Sequence, residues 1–433
     1  MEQITVDIRV KSELLKEDKV YKTWRKRFGN NLNLNSGDQL GMILFDVMGY
    51  DSPGRTAGGK HKTDEGTLES VDIGFVKKLL EIKKLKKAKN TYLKGIQREV
   101  CDGYIHPVFN LHITDTYRSS SDSPNFQNMP IRLPWMAELI RQCFIPRAPN
   151  RHIVESDYGG IEVHGASWYH KDPVMMDYLN DKSKDMHRDM AQQCFALPKK
   201  EMTAKDKKDA KRIKEIRFCG KNMFVFPEFY GDWWFSCAPL LWNSIDQLNL
   251  CTRNGLSIKE HLKSKGITTL GSLNDYKNQP DNSFMRHIQG VEYDFWNKRF
   301  KVYKQWKEDW YGDYLKKGYF DTLTGFRIEG PLARNKVINY PVQGVAFHCL
   351  LWSLIRLQKL LKKYKMKSLI IGQIHDSIVA DVVDKELKTY KEMIQQVMVE
   401  DIKKHWKWII TPIEIEIEMA PAQKSWFHKE KVA

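Results

Sequence analysis

Several things are scarce in this chain. Its 433 residues include only 7 cysteines, scattered with no Cys-x-x-Cys pair. That excludes a structural zinc ribbon and points to reduced thiols in a cytosol. No apolar run approaches the roughly 20 residues needed to cross a bilayer, and no signal-peptide pattern is visible. The expected location is therefore cytoplasmic, with no membrane partner. Internal repeats and low-complexity tracts are absent, which argues against solenoids and disordered tails. Acidic residues are in deficit: 54 Asp+Glu stand against 70 Lys+Arg, a formal charge of +16. That balance favours a polyanionic partner bound in a salt-sensitive way, although charge alone also fits a ribosomal or membrane-surface protein. The length suits two or three subdomains better than one core.

Against this background two aspartates stand out. Asp157 lies in Val154-Glu155-Ser156-Asp157-Tyr158-Gly159-Gly160-Ile161-Glu162, and Asp376 in Gly372-Gln373-Ile374-His375-Asp376-Ser377. Each follows a short β-branched run, His152-Ile153-Val154 and Leu369-Ile370-Ile371, that reads as a buried strand. An ionised carboxylate at a buried strand end is costly unless compensated. Metal is the usual compensation: two such carboxylates can hold a pair of Mg²⁺ ions roughly 3.5–4 Å apart, with substrate phosphates completing the ligand set. Taken singly, either Asp could equally cap a turn.

Between them runs a basic helical pattern carrying Lys205, Lys207, Lys208, Lys211, Arg212, Lys214, Arg217 and Lys221, followed by Phe218, Met223, Phe224, Val225, Phe226, Phe229 and Tyr230. Arg217 and Lys221 share one helix face. A cationic stripe with an aromatic end suits a nucleotide, with triphosphate on the charges and base on a ring. A solvated basic helix entering a core is the plainer alternative.

Together and in this order, the three segments resemble the polymerase module of the family A (DNA polymerase I type) DNA polymerases. Further stretches carry the resemblance: Lys62 to Thr67, Lys84 to Tyr92, Arg118 to Pro130, Asp185-Met186-His187 and Asn339 to Gly344. It covers nearly all of the chain from about Asn33. Three departures stand out. One extra residue separates Lys221 from Tyr230-Gly231, and Pro227 is expected to kink or end the helix there. That leaves Val225 or Phe226 for the base-stacking position, with the ring favouring Phe226. Ser377 stands where the family usually has Glu after the second aspartate. The segment from about 232 to 289 is longer than in the bacterial enzymes, and Phe-Val-Phe-Pro-x-Phe-Tyr-Gly followed by an insertion is similar to phage members.

The resemblance implies an α+β fold of right-hand polymerase architecture, with an antiparallel-sheet palm, a helical thumb and helical fingers. The expected division is thumb 1–95, palm 96–183, fingers 184–318 with an insertion at about 232–289, and palm again 319–433. The loop Ser52 to Gly59 is expected as a thumb tip near duplex DNA, and Thr411 to Met419 as the last strand. Trp233, Trp234, Trp296, Trp306, Trp310 and Trp352 read as packing residues. The resemblance also implies roles. Asp157 and Asp376, helped by the Tyr158 carbonyl, bind two Mg²⁺ ions, for which Mn²⁺ can substitute. Arg217, Lys221 and His187 contact the triphosphate, Phe226 and Tyr230 the bases, and Glu162 excludes a 2′-hydroxyl. Arg118, Asn125, Gln127, Asn339 and Gln343 touch the primer–template minor groove, where contacts check pair geometry rather than sequence. His375 lies near the primer end. For the Asn and Gln residues, turn and cap chemistry is the alternative.

The expected activity is template-directed extension of a primer 3′-hydroxyl with dNTPs in phage DNA replication, in the host cytoplasm. Two other readings compete. A single-subunit phage-type RNA polymerase shares His-Asp-Ser, but Glu162 stands against it; a non-catalytic nucleic-acid-binding protein of the same fold is the other. No carboxylate cluster of a proofreading exonuclease precedes the thumb-like sequence. The expectation is thus a polymerase part, from a split gene or a trimmed chain, with a separate exonuclease chain or a processivity factor as partner.

Overall fold

The computed structural model describes every residue except Ala57, Ser70, Arg132 and Ala433. The run around Ile153 and Val154 forms a central strand, Arg151–Tyr158. It pairs antiparallel with Ser377–Val383 on one edge and with Ile415–Met419 on the other. Leu369–Ile374 and Glu430–Lys431 complete a five-stranded antiparallel sheet. Side chains alternate along the central strand. Val154 and Tyr158 enter a core with Ile378, Ala380, Val382 and residues of the helix Arg334–Lys363, such as Val345 and Leu350. Glu155 and Asp157 therefore stand on the opposite face. Each fully buried aliphatic side chain contributes about 1.5–3 kcal/mol. A one-residue slip would drive Asp157 into that core, so the register is firmly set.

Compact packing divides the chain into two units. One comprises Met1–Val100 and Ile267–Arg286; the other comprises Cys101–Gly266 and His287–Ala433 and contains the sheet. The first is helical, with Glu2–Lys16, Lys19–Phe28 and Gly74–Lys87 enclosing Leu15, Trp24, Leu40, Leu44, Phe75 and Leu79. In the expected tip loop, Arg55 bridges to His61, and Ala57 lies outside the described residues. In the second unit the longer segment after Gly231 begins with Trp234–Gln247 and continues with Ile258–Ser264. Ser257 and Glu260 close a capping box at the start of the latter helix, satisfying amide donors that its first turn leaves free.

Two sequence expectations need correction. The last long strand begins at Ile415, not Thr411. Pro412 cannot donate to a ladder, and the Thr411 hydroxyl is occupied by His164 Nδ1 at 2.9 Å and Trp168 Nε1 at 2.8 Å. Trp234 and Trp296 are buried, but Trp233 is 40% exposed. Among the described residues no helix is long and apolar enough to cross a membrane.

Candidate active site

The two aspartates meet at one end of the sheet. Asp157 sits near the end of the central strand, opposite Ser377. Asp376 occupies the two-residue turn between Leu369–Ile374 and Ser377–Val383. His375, the other turn residue, has φ 50°, a conformation sparsely used outside glycine and one that concentrates at functional sites. The Tyr158 amide donates to the Asp376 carbonyl at 3.2 Å, tying turn to strand. The Tyr158 side chain is sunk in the core, its hydroxyl donating to the Met398 carbonyl at 3.0 Å. Burial, Asp376 and Glu155 push the Asp157 carboxyl up to about 8, and burial pushes Asp376 up as well. Asp157 Oδ1 is buried without a hydrogen-bond partner. Two crowded acids with an unpartnered oxygen fit a divalent cation, which would relieve both the repulsion and the missing bond. Among the described residues no group of three or more His, Cys, Asp or Glu forms a closed metal cage, so other ligands would have to come from backbone or substrate.

Beside the pair, the Gly159-Gly160 turn leads into the helix Ile161–His170, with Glu162 in its first turn. Both oxygens of Glu162 are engaged. Arg118 Nη1 lies 3.3 Å from Oε1, and the Tyr230 hydroxyl donates to Oε2. Burial and Glu162 together raise the Tyr230 phenol above its ordinary range. Asn339 Nδ2 donates to the Tyr230 carbonyl at 2.9 Å, and Gln343 follows one helical turn later, on the same face. A small cleft is lined by Glu162, Phe226, Tyr230 and Asn339.

The cationic side comes from Met186–Cys194 and Lys207–Gly220. Arg217 Nε donates to Asp185 Oδ2 at 2.6 Å, while Asp185 Oδ1 also caps the first of these helices through the Arg188 amide. Lys221 Nζ lies 5.0 Å from the Phe226 ring centre, and burial and Arg217 lower its pKa. His187 meets the same ring edge-on at 5.5 Å. Burial, Arg217 and Lys221 push this imidazole down to about 4, so it is neutral at pH 7; its Nδ1 is buried and unpartnered.

The helix does not break at Pro227. A wide π-helical turn, Lys221–Val225, precedes it, with the Phe226 amide donating to the Lys221 carbonyl. The helix then runs through Phe226–Tyr230 and ends at Gly231, φ 93°. A π turn takes up one extra residue without ending the helix. It places Pro227 in the first turn of the next segment, where a missing amide costs little. Val225 is fully buried, whereas Phe226 contacts Lys221, His187 and Tyr230 (6.1 Å).

The remaining expected residues divide. Gln127 Nε2 donates to Gln373 Oε1 at 2.6 Å and to Ser119 Oγ at 2.7 Å, and Gln373 Nε2 donates to the His375 carbonyl at 2.7 Å. Gln127 thus joins the turn that carries Asp376. Asn125 instead caps a short helix by accepting from the Asn128 amide at 3.1 Å. Burial and Arg118 lower the His375 pKa. Sequence reasoning did not single out Ser119, Gln373 or Asp185 as partners, nor Glu155. Their types are common and their contacts lie far away in the chain; only membership of the quoted motifs hinted at them.

The comparisons with known proteins concern this same region. The chain matches DNA polymerase family A over residues 8–218 and 293–427. That span includes both aspartates, Glu162, His187 and Arg217 but leaves out Lys221, Phe226 and Tyr230. It is 27% identical over 415 residues to DNA polymerase I of Lactococcus lactis subsp. cremoris, covering 92% of this chain and 40% of that protein. It is 28% identical over 396 residues to DNA polymerase I of Streptococcus pneumoniae, covering 87% and 38%. The chain spans about two fifths of the length of these relatives. Among solved structures, the POL domain of Pol1 from M. smegmatis, in complex with DNA primer-template and dNTP, superposes with a TM-score of 0.71 at 22% identity, covering 99% of this chain and 66% of that one. The fold is accordingly the α+β polymerase fold, and the match over most of the sequence shows that the chain belongs to DNA polymerase family A.

Proposed function

We propose that the chain is the polymerase module of a DNA-directed DNA polymerase that extends a primer 3′-hydroxyl with dNTPs, and that it serves phage DNA replication. The observation that carries this reading is the half-buried Asp157/Asp376 pair, with one unpartnered carboxylate oxygen, near cationic and aromatic groups from the Lys207–Tyr230 helical run. On this reading 1–95 is the thumb, 96–183 and 319–433 the palm, and 184–318 the fingers.

Asp157, Asp376 and the Tyr158 carbonyl would hold two Mg²⁺ ions. When bound, these supply an activated 3′-hydroxyl and neutralise the leaving pyrophosphate. The chain's own residues do the rest by positioning. Arg217 and Lys221 attract the triphosphate, Arg217 exchanging Asp185 for phosphate oxygens. His187, neutral at pH 7, contributes a hydrogen bond instead of a charge. Phe226 offers its ring to the incoming base, and Tyr230 packs by the templating base. Arg118, Gln127, Asn339 and Gln343 line the minor-groove side, and His375 sits at the primer end. Glu162, held in place by Arg118 and Tyr230, fills the space a 2′-hydroxyl would need. A primer-extension assay with dNTPs and rNTPs tests the proposal. Extension with dNTPs that is lost in Asp376→Ala is expected. Equal use of rNTPs would favour the RNA polymerase, and no extension with intact duplex binding would favour the non-catalytic protein.

A further inference from the structure

A third carboxylate lies next to the pair, and the end of the chain holds it. Glu155 is two residues before Asp157 on the central strand, so both point to the same face. It is buried at 8% exposure. Directly opposite it in register stands Glu418, a like-charge arrangement that destabilises a sheet unless bridged. Lys429 bridges it, with Nζ 2.6 Å from Glu155 Oε2 and 2.5 Å from Glu418 Oε2. Trp426 Nε1 donates to the same Glu155 oxygen at 2.8 Å. The other oxygen faces Ser377, whose hydroxyl lies 3.2 Å from Glu155 Oε1 and 3.0 Å from the Ile374 carbonyl.

Ser377 is the residue after Asp376 and stands where a carboxylate is usual in the resembled family. Here the adjacent strand carries the carboxylate instead, and the serine hydroxyl links it to the Asp376 turn. A second path reaches the same turn. The Trp426 ring stacks on Phe126 at 5.3 Å and 9°, and Arg141 lies 4.0 Å above the same indole. Phe126 in turn sits against Gly372 so closely that a Cβ there would come within 2.4 Å of its ring.

We infer that Glu155, clamped by Lys429 and Trp426, is a positioning residue for the Asp157/Asp376 centre and supplies the negative charge missing at Ser377. Glu155 does not ligate a cation, since its oxygens are taken by Trp426, Lys429 and Ser377. It acts by orienting the Asp376 turn and by setting the charge behind Asp157; the net charge there depends on Lys429. This rests on the reading of Asp157 and Asp376 as the cation-binding pair.

The test is Mn²⁺ binding to the full chain, followed by the electron paramagnetic resonance of the free ion, alongside primer extension. Glu155→Gln should weaken Mn²⁺ about tenfold and lower kcat with the dNTP KM unchanged. Lys429→Met leaves Arg141 as the remaining cation acting on Glu155 and should tighten Mn²⁺ about threefold while lowering kcat. Lys429→Arg should restore both values. Opposite signs in the two variants are the signature, because a merely structural role would weaken binding in both. Changes of the same sign, or Mn²⁺ binding within twofold of the parent in both, would overturn the inference. If Lys429→Met does not fold, Lys429→Gln decides. It keeps a hydrogen-bond donor for Glu155 but loses the charge, and should still tighten Mn²⁺ about threefold; weakening or no change would overturn the inference equally. Asp376→Ala is the control for the underlying reading. Mn²⁺ binding that survives it removes the cation site itself, whereas loss there with silence at Glu155 and Lys429 removes only this proposal.

Discussion

Glu162→Ala is the most informative perturbation of nucleotide choice. In the structure Glu162 Oε1 faces Arg118 at 3.3 Å and Oε2 accepts from Tyr230, while the side chain is 28% exposed. A ribonucleotide bringing its 2′-hydroxyl here must displace one of these partners or clash. A hydrogen bond to a charged group contributes about 1.5–3 kcal/mol net, which sets the ceiling on discrimination from this source. Truncation to Ala removes both the bulk and the acceptors. Ribonucleotide use relative to dNTP should then rise at least about tenfold, or roughly 1.4 kcal/mol, with some loss of overall rate. Tyr230→Phe frees Oε2 to accept from a 2′-hydroxyl and should relax selectivity less. The double variant should show no more relaxation than Glu162→Ala alone, because both act through one carboxylate. The assay is single-turnover incorporation of one rNTP and its dNTP counterpart on the same primer–template. Unchanged selectivity in Glu162→Ala, or full additivity in the double variant, would remove Glu162 as the group that rejects a 2′-hydroxyl.

Other outcomes follow from the same geometry. Asp376→Ala should abolish nucleotide addition while leaving duplex affinity nearly intact, since affinity comes mostly from phosphate contacts; more than a few per cent residual activity in Mg²⁺, measured by primer extension, would contradict this. Lys221→Ala should raise the dNTP KM about tenfold or more with little change in a DNA gel shift. Asp185→Asn keeps an equally good helix cap but releases Arg217, so the dNTP KM should fall severalfold; a rise would show that Asp185 orients the guanidinium productively. His348 is buried and pushed down to about 4, so the unfolded chain binds more protons between about pH 6.5 and 4. Its contribution is complete above 6.5 and is lost as pH falls through that window. The melting temperature of His348→Leu should therefore decline less steeply than the parent's between those pH values.

The sheet that carries the aspartates was legible because β-branched runs signal buried strands whatever lies elsewhere. Both aspartates follow such runs, and they converge because the strand after Asp376, Ser377–Val383, lies between the two runs and pairs with both. The C-terminal strand was legible in its alternating Ile and Glu but not in its start, because Pro412 has no amide to donate and the Thr411 hydroxyl is held by His164 and Trp168 on the Ile161–His170 helix. The Arg118–Glu162–Tyr230 cluster came partly from family resemblance; composition alone says nothing of it. Glu155 and Lys429 were invisible for a physical reason. Their contact joins residues far apart in the chain, and neither residue type nor local spacing marks a buried ion pair. The wide turn at Lys221–Val225 was hidden as well, since no side chain encodes a π turn; the only trace was one surplus residue and a proline in an awkward place.

The wide turn at Lys221–Val225 has an evolutionary consequence. In an ordinary helix an insertion rotates everything beyond it by about 100°, which would swing Phe226 and Tyr230 away from Glu162. A wide turn takes up one added residue, so the segments on either side keep their orientations. Chain length in this stretch can therefore drift by one while the spatial constellation stays fixed. Removing a single residue between Lys221 and Phe226 need only convert the wide turn into a regular one. Column-by-column comparison across relatives would then pair residues that do not coincide in space, and the side chain facing the nucleotide is better identified by the surface it occupies than by its distance along the sequence.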